Sequence, residues 1–248
     1  MIRVEACVNS PQSAIEAEKG GAHRVELCDN LYEGGTTPSA ASIIFTKKNI
    51  GIALNVIIRP RGGDFVYSDM EIEIMFQDIA FCKQIGVDGV VLGALTPDGN
   101  IDIFNTKRLT QAAFPMNVTF HRAFDMVADP YKALEDVIVC GCSRILTAGL
   151  QNKAIEGKNM IKSLVAQAED RIIIIAGSGI NDQNAASLVQ YTGVKEIHTS
   201  SKSFYQSKMI FRNPVVFMGG IPQISEYENT FTDALKIKAV VESVKGLG

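Results

Sequence analysis

Tryptophan is absent from the 248 residues, histidine occurs three times and cysteine five times. Five thiols are an odd number, and their spacing does not resemble a disulfide framework, so a reducing cytosol is the expected setting. No block of Lys and Arg stands out and the net charge is −3, which argues against nucleic acid as a partner. No apolar run reaches membrane-spanning length; the longest obvious one, Ile172 to Ala176, is the size of a strand, so no membrane is expected. Met1 leads directly into a strand pattern with no signal-peptide pattern before it, and the expected location is the cytoplasm. No linker or low-complexity segment interrupts the chain, so residues 1–248 read as one domain.

What is present is a repeated motif. Arg3-Val4-Glu5-Ala6-Cys7-Val8-Asn9 returns as Arg24-Val25-Glu26-Leu27-Cys28-Asp29-Asn30, polar and apolar side chains alternating in both copies. That is the period of a strand, and the spacing leaves room for a strand, a helix and two turns, so the echo reads as a repeated βα unit. Val4, Ala6, Val25 and Leu27 then face one way, and Glu5, Cys7, Glu26 and Cys28 the other.

The same alternation continues. Further strands are expected at Leu54–Ile58, Gly89–Leu92, Asn117–His121, Arg144–Thr147, Ile172–Ala176 and Glu196–Thr199. Helices are expected at Pro11–Lys19, Ser39–Lys48, Asp69–Ile85, Asp102–Ala113, Tyr131–Val139, Ile155–Ala168, Asn181–Gln190 and Asp233–Val244. Such even alternation predicts an α/β fold of the TIM type, a (β/α)8 barrel, over a doubly wound open sheet. Residues 203–228 form the one long loop, after strand eight, with a lid or an oligomer contact as its expected use.

In this architecture the loops after the strands build the site. Those positions supply Glu5, Cys7, Glu26, Cys28, Asn55, Arg59, Arg61, Asp64, Tyr67, Thr119, His121, Arg122, Asp125, Thr147, His198, Ser200 and Ser201. Glu5 has two readings of equal weight, an interior ion-pair layer with Arg3 and Arg24, or chemistry. Glu26, nearer the Gly-rich loop, reads as functional. Arg59 and Arg61 flank Pro60 beside a Gly-Gly turn and suit a carboxylate or phosphate, or else pair with Asp64 and the glutamates. His121 and His198 are candidate acid/base or metal residues; His23, at the start of strand two, reads as structural. Gly177 and Gly179 after strand seven, with Ser200 and Ser201 after strand eight, fall where barrels bind phosphate, although a plain turn also uses glycine.

Other absences narrow the chemistry. No lysine ends a strand, against a Schiff-base aldolase. No His-x-His or clustered Cys/His pattern offers a ready zinc site. Strands four and six end without carboxylates, against an enolase-type magnesium site. Cys7 and Cys28 occupy matching positions on neighbouring strands and could share one soft Cu(I) ion. Against this, free cysteine is a common buried residue, and adjacent barrel strands feed alternate interior layers.

The sequence resembles the CutC family of copper homeostasis proteins. The resemblance runs through Arg24 to Cys28 with Glu33-Gly34-Gly35-Thr36-Thr37-Pro38-Ser39, Arg59-Pro60-Arg61-Gly62-Gly63-Asp64-Phe65 with Tyr67, Thr119-Phe120-His121-Arg122-Ala123-Phe124-Asp125, Gly177-x-Gly179 and His198. It implies a cytoplasmic (β/α)8 barrel, a homo-oligomer such as a dimer or tetramer, with Cys7 and Cys28 as Cu(I) thiols and no organic cofactor. The other expectation is an acid–base enzyme (lyase, isomerase or hydrolase type) for a small anionic metabolite, phosphorylated metabolites included. Arg59, Arg61, Gly177, Gly179, Ser200 and Ser201 would hold the anion, and Glu26 and His121 would move protons.

Overall fold

The computed structural model of the chain describes residues 1–218 and 224–247. Eight parallel strands follow one another in sequence: β1 (Arg3–Val8), β2 (Arg24–Leu27), β3 (Ala53–Ile57), β4 (Gly89–Leu92), β5 (Asn117–Phe120), β6 (Arg144–Thr147), β7 (Ile173–Gly177) and β8 (Glu196–Thr199). Each pairs with its neighbour in sequence, and β8 pairs back onto β1, closing a barrel with no free edge. The helices are α1 (Pro11–Lys19), α2 (Ala40–Asn49), α3 (Asp69–Ile85), α4 (Ile103–Ala113), α5 (Pro130–Val139), α6 (Lys158–Ala168), α7 (Ala185–Thr192) and α8 (Ala234–Ser243). This is the (β/α)8 architecture that the alternation predicted.

Local chemistry explains the boundaries. Ser10 caps α1 by accepting the Ser13 N–H, with Pro11 supplying the first helical position. Ser68 and Glu71 form a reciprocal capping box on α3, and Gly86 ends that helix at φ 76°. Along α3, Ile72, Met75, Ile79 and Cys82 are buried against the barrel, at the spacing of one helical face. α7 starts later than Asn181 because Asn184 ties up the first turn. Its side chain accepts the Asn181 N–H at 2.9 Å and donates to Gly179 O at 2.9 Å.

Outward-facing Val4, Ala6, Val8, Val25 and Leu27 lie under the helices, almost completely buried. The inward set is polar and forms a charged layer low in the barrel. Arg24 pairs with Glu5 and donates to Glu196 at 2.6 Å, and Arg144 reaches Glu196 at 3.1 Å. Glu5 therefore takes the ion-pair role, but Arg3 is exposed and has no part in it. His23 is structural: its Nδ1 accepts the Val4 N–H at 3.0 Å.

The connection after β8 carries two further strands. β9 (Lys202–Gln206) and β10 (Glu228–Thr232) pair antiparallel as a ribbon, tied down where the Thr232 N–H meets Ser13 Oγ at 3.2 Å. Part of the expected lid or oligomer contact, residues 219–223, lies outside the described residues. Among the described residues no helix is long and apolar enough to cross a membrane.

Candidate functional site

The strands' C-terminal ends enclose a cavity of about 310 Å³, lined by Cys7, Glu26, Cys28, Arg59, His121 and His198, by Glu33, Arg122 and Asp125 at the loops, and by apolar Ile57, Phe65, Ala123, Met126 and Leu146. Among the described residues, nothing from the long connection after β8 lines it.

One wall is a sulfur, carboxyl and imidazole cluster. Cys7 and Cys28 place their sulfurs 3.9 Å apart. They are not at matching heights: Cys7 lies opposite Glu26, and Cys28 is one residue past the end of β2. The stagger of the barrel is taken up by the Cys28 side chain, whose Sγ turns back toward Glu26 O at 3.9 Å. His198 stands beside them. Its Nδ1 meets Glu5 Oε1 at 2.8 Å and its Nε2 lies 3.6 Å from Glu26 Oε2. Cys7, Glu26 and His198 offer ligand atoms that all fall within 4.8 Å of one another. The sequence placed all three at the site end of the barrel, but marked only Cys7 and Cys28 as the thiols for a metal; that His198 and Glu26 stand within reach of Cys7 depends on which side chains β8, β1 and β2 bring level.

Charges in this cluster are set by burial and by one another. The hydrogen bond with Cys28 holds the Cys7 thiol well below its usual range, His198 assisting, and the same bond with burial pushes Cys28 well up. Burial works against a charged His198, but Cys7, Glu5 and Glu26 outweigh it and lift its pKa well above 6.5. Burial also opposes ionised Glu5, yet Arg24 and His198 bring it down to about 2. Glu26 has only His198 close by, at 3.6 Å, and burial outweighs that cation and pushes it up to about 8.

The opposite wall holds His121, 5% exposed, and Arg59, 3% exposed. His121 caps a short 3₁₀ turn, Arg122–Met126, its Nδ1 accepting the Ala123 N–H at 3.2 Å. A nitrogen that accepts carries no proton, so the ring is the neutral tautomer with its hydrogen on Nε2. That Nε2 is buried without a partner. Burial, then the nearby Arg59 charge, drives the ring pKa down to about 3. His121 is consequently a donor and not the proton-moving base expected from the sequence. Gly93 seats the ring, since a Cβ there would come within 2.7 Å of it.

Arg59 uses its terminal nitrogens to hold three backbone carbonyls: Glu33 O at 2.7 Å, Gly35 O at 2.8 Å and Gly63 O at 2.7 Å. Its Nε has no partner. Phe65 packs between the two, its ring 4.9 Å from the guanidinium and 5.1 Å from His121.

The other expected anion ligands do not join this cavity. Arg61 does not line it and is engaged by Glu71 at 2.5 Å and Asp64 at 3.1 Å. Gly177 is needed for packing, because a Cβ would meet Leu146 Cδ1 at 2.5 Å and His198 Cβ at 3.3 Å. Gly179, Ser200 and Ser201 line a separate open depression with Lys202 and Lys236. Asp125 and Thr147 bond each other at 2.5 Å, and Asp125 also takes the Ala148 and Leu150 N–H groups, so they shape the loop after β6.

A model of the CutC family matches residues 2–203. A CutC family protein of Parabacteroides distasonis is 50% identical over 239 residues, covering 96% of this chain and 98% of that one. The human copper homeostasis protein cutC homolog is 46% identical over 244 residues, covering 98% and 89%. The crystal structure of the putative copper homeostasis protein CutC from Streptococcus agalactiae superposes with a TM-score of 0.77 at 39% identity, covering 81% of this chain and 99% of that one.

Proposed function

The chain belongs to the CutC family, and from that premise we propose that it binds Cu(I) between Cys7 and Cys28 at the mouth of its barrel. The observation that carries this reading is the 3.9 Å separation of the half-buried Cys7 sulfur and the buried Cys28 sulfur, brought together from β1 and the end of β2. Thiols are soft donors that favour Cu(I) over the harder ions of the cell. Besides Cys28, Cys7 has His198 beside it, which favours the thiolate a metal needs. His198 and Glu26 stand close enough to Cys7 to join the ion's surroundings. The residues present therefore fit a Cu(I) ion.

Five free cysteines support a reducing, cytoplasmic setting. The apolar side chains of Met209, Ile210, Phe211 and Val215, exposed after the ribbon's first strand, support assembly into a homo-oligomer. A Cu(I) competition titration against a chromophoric chelator tests the main reading. Wild type is expected to withdraw copper from the chelator, and the Cys7→Ser/Cys28→Ser variant to lose that capacity. Equal affinity in the two proteins would end it.

A further inference from the structure

Copper between two sulfurs leaves the opposite wall of the cavity unused, and that wall is unusual. His121 turns a buried N–H toward no acceptor, and Arg59 is a buried cation whose partners are three neutral carbonyls and no carboxylate within ion-pair distance among the described residues. A buried donor without an acceptor and a buried charge without a counter-charge are each costly. Both lie in one cavity, on either side of Phe65, beside apolar Ile57, Ala123, Met126 and Leu146, with Glu33, Arg122 and Asp125 also in the lining.

We propose that this wall is a binding site for a small organic carboxylate, its oxygens taking the His121 Nε2–H and the Arg59 charge and its apolar body lying against Phe65, Ile57 and Leu146. An oxyanion supplies both things the wall lacks, an acceptor and a negative charge. A carboxylate fits better than inorganic phosphate, because one cation and one donor match a two-oxygen group and Ile57, Phe65 and Leu146 match an organic body that phosphate lacks. The cavity, about 310 Å³, sits at the small end of the range for organic ligands, so a ring or short branched chain is the expected body. Nearby acids do not occupy the wall. Asp125 is engaged by Arg122 at 2.6 Å and by backbone N–H groups of the next loop, and Glu33 takes the Asn30 side chain. His121 is fixed in its donating tautomer by the Ala123 N–H, so the site is organised before a ligand arrives. The inference does not depend on the copper reading.

The test uses the copper-free full chain, with benzoate and 4-methylpentanoate as probes and benzyl alcohol and inorganic phosphate as comparators, followed by calorimetry and by the histidine side-chain nitrogen spectrum. Both carboxylates are expected to bind and to move the His121 Nε2–H resonance, with benzyl alcohol weaker by about tenfold or more. His121→Leu removes the donor and is expected to lower carboxylate affinity by about tenfold to a hundredfold, a hydrogen bond to a charged group being worth that much. His121→Gln keeps an N–H donor and is expected to retain most of it, which separates loss of the donor from loss of the fold. Silence from both carboxylates would overturn the proposal, as would benzyl alcohol or phosphate binding as tightly, or equal affinity in the folded Leu and Gln variants.

Discussion

Arg24 is the cation on which the charged layer of the barrel depends, and Arg24→Met removes it while keeping an unbranched side chain. Arg24 is 6% exposed and its partners Glu5 and Glu196 are 1% and 3% exposed, so neither carboxylate can turn to water. Removing one member of a buried ion pair costs about 3–5 kcal/mol. A second route gives a compatible figure. Glu5 is lowered from 4.5 to about 2, and at about 1.4 kcal/mol per unit that is roughly 3 kcal/mol of charge stabilisation, part of it from His198. The sign follows from a depressed carboxylate: this stability is fully present above pH 4.5 and is lost as pH falls through about 2. The gap between wild type and Arg24→Met should thus be widest near neutrality and narrow in acid. Urea unfolding followed by far-UV circular dichroism, at about pH 7 and again at about pH 3.5, measures both gaps. A loss under about 1 kcal/mol at neutrality, or the same loss at both pH values, would refute the reasoning.

Glu26 should behave in the opposite sense. Burial lifts its pKa from 4.5 to about 8, so the unfolded chain ionises while the metal-free native state keeps its proton, and wild type loses stability as pH climbs through that window. Glu26→Gln has no such loss and should gain on wild type by a few kcal/mol between about pH 5 and pH 8.5 in urea melts; a difference that stays flat with pH would contradict it. Arg61→Ala should cost no more than about 1 kcal/mol, because its pairs with Glu71 and Asp64 are at the surface. It should also leave benzoate affinity alone, and a measured drop would return Arg61 to the site.

The fold was legible because its elements announce themselves locally: period-two strands, and the apolar stripe Ile72, Met75, Ile79 and Cys82 along α3. The β9–β10 ribbon was not, since its strands are short, largely polar and pair across more than twenty intervening residues. The site was legible in composition and less so in roles. Arg59 and Arg61 look equivalent on either side of Pro60, yet β3 has already ended and the turn through Gly62 and Gly63 redirects the second one outward. His121 reads as a base until the Ala123 N–H is found on its Nδ1, a contact made by the chain bending sharply after β5. Gly177 reads as a phosphate cradle although Leu146 and His198 fill the space a side chain would take.

The repeated motif shows most clearly what closure of the barrel adds. Its two copies share Arg, Val, Glu and Cys in the same order, and equal sequences suggest equal roles. The register denies this: Glu5 lies opposite Arg24 and Cys7 opposite Glu26, so the second copy sits two residues higher on the barrel wall than the first. Two residues are one interior layer. The shift puts Glu5 in the charged layer with Arg24 and puts Glu26 one layer up in the cavity, where no arginine reaches it among the described residues. Opposite displacements of the two glutamates, one to about 2 and the other to about 8, follow from that single offset. His198 on β8 spans both layers, bonded to Glu5 below and facing Glu26 and Cys7 above. The charge of the lower layer is in this way transmitted to the cluster at the mouth, and a change at Arg24 should be felt at Cys7 without touching it.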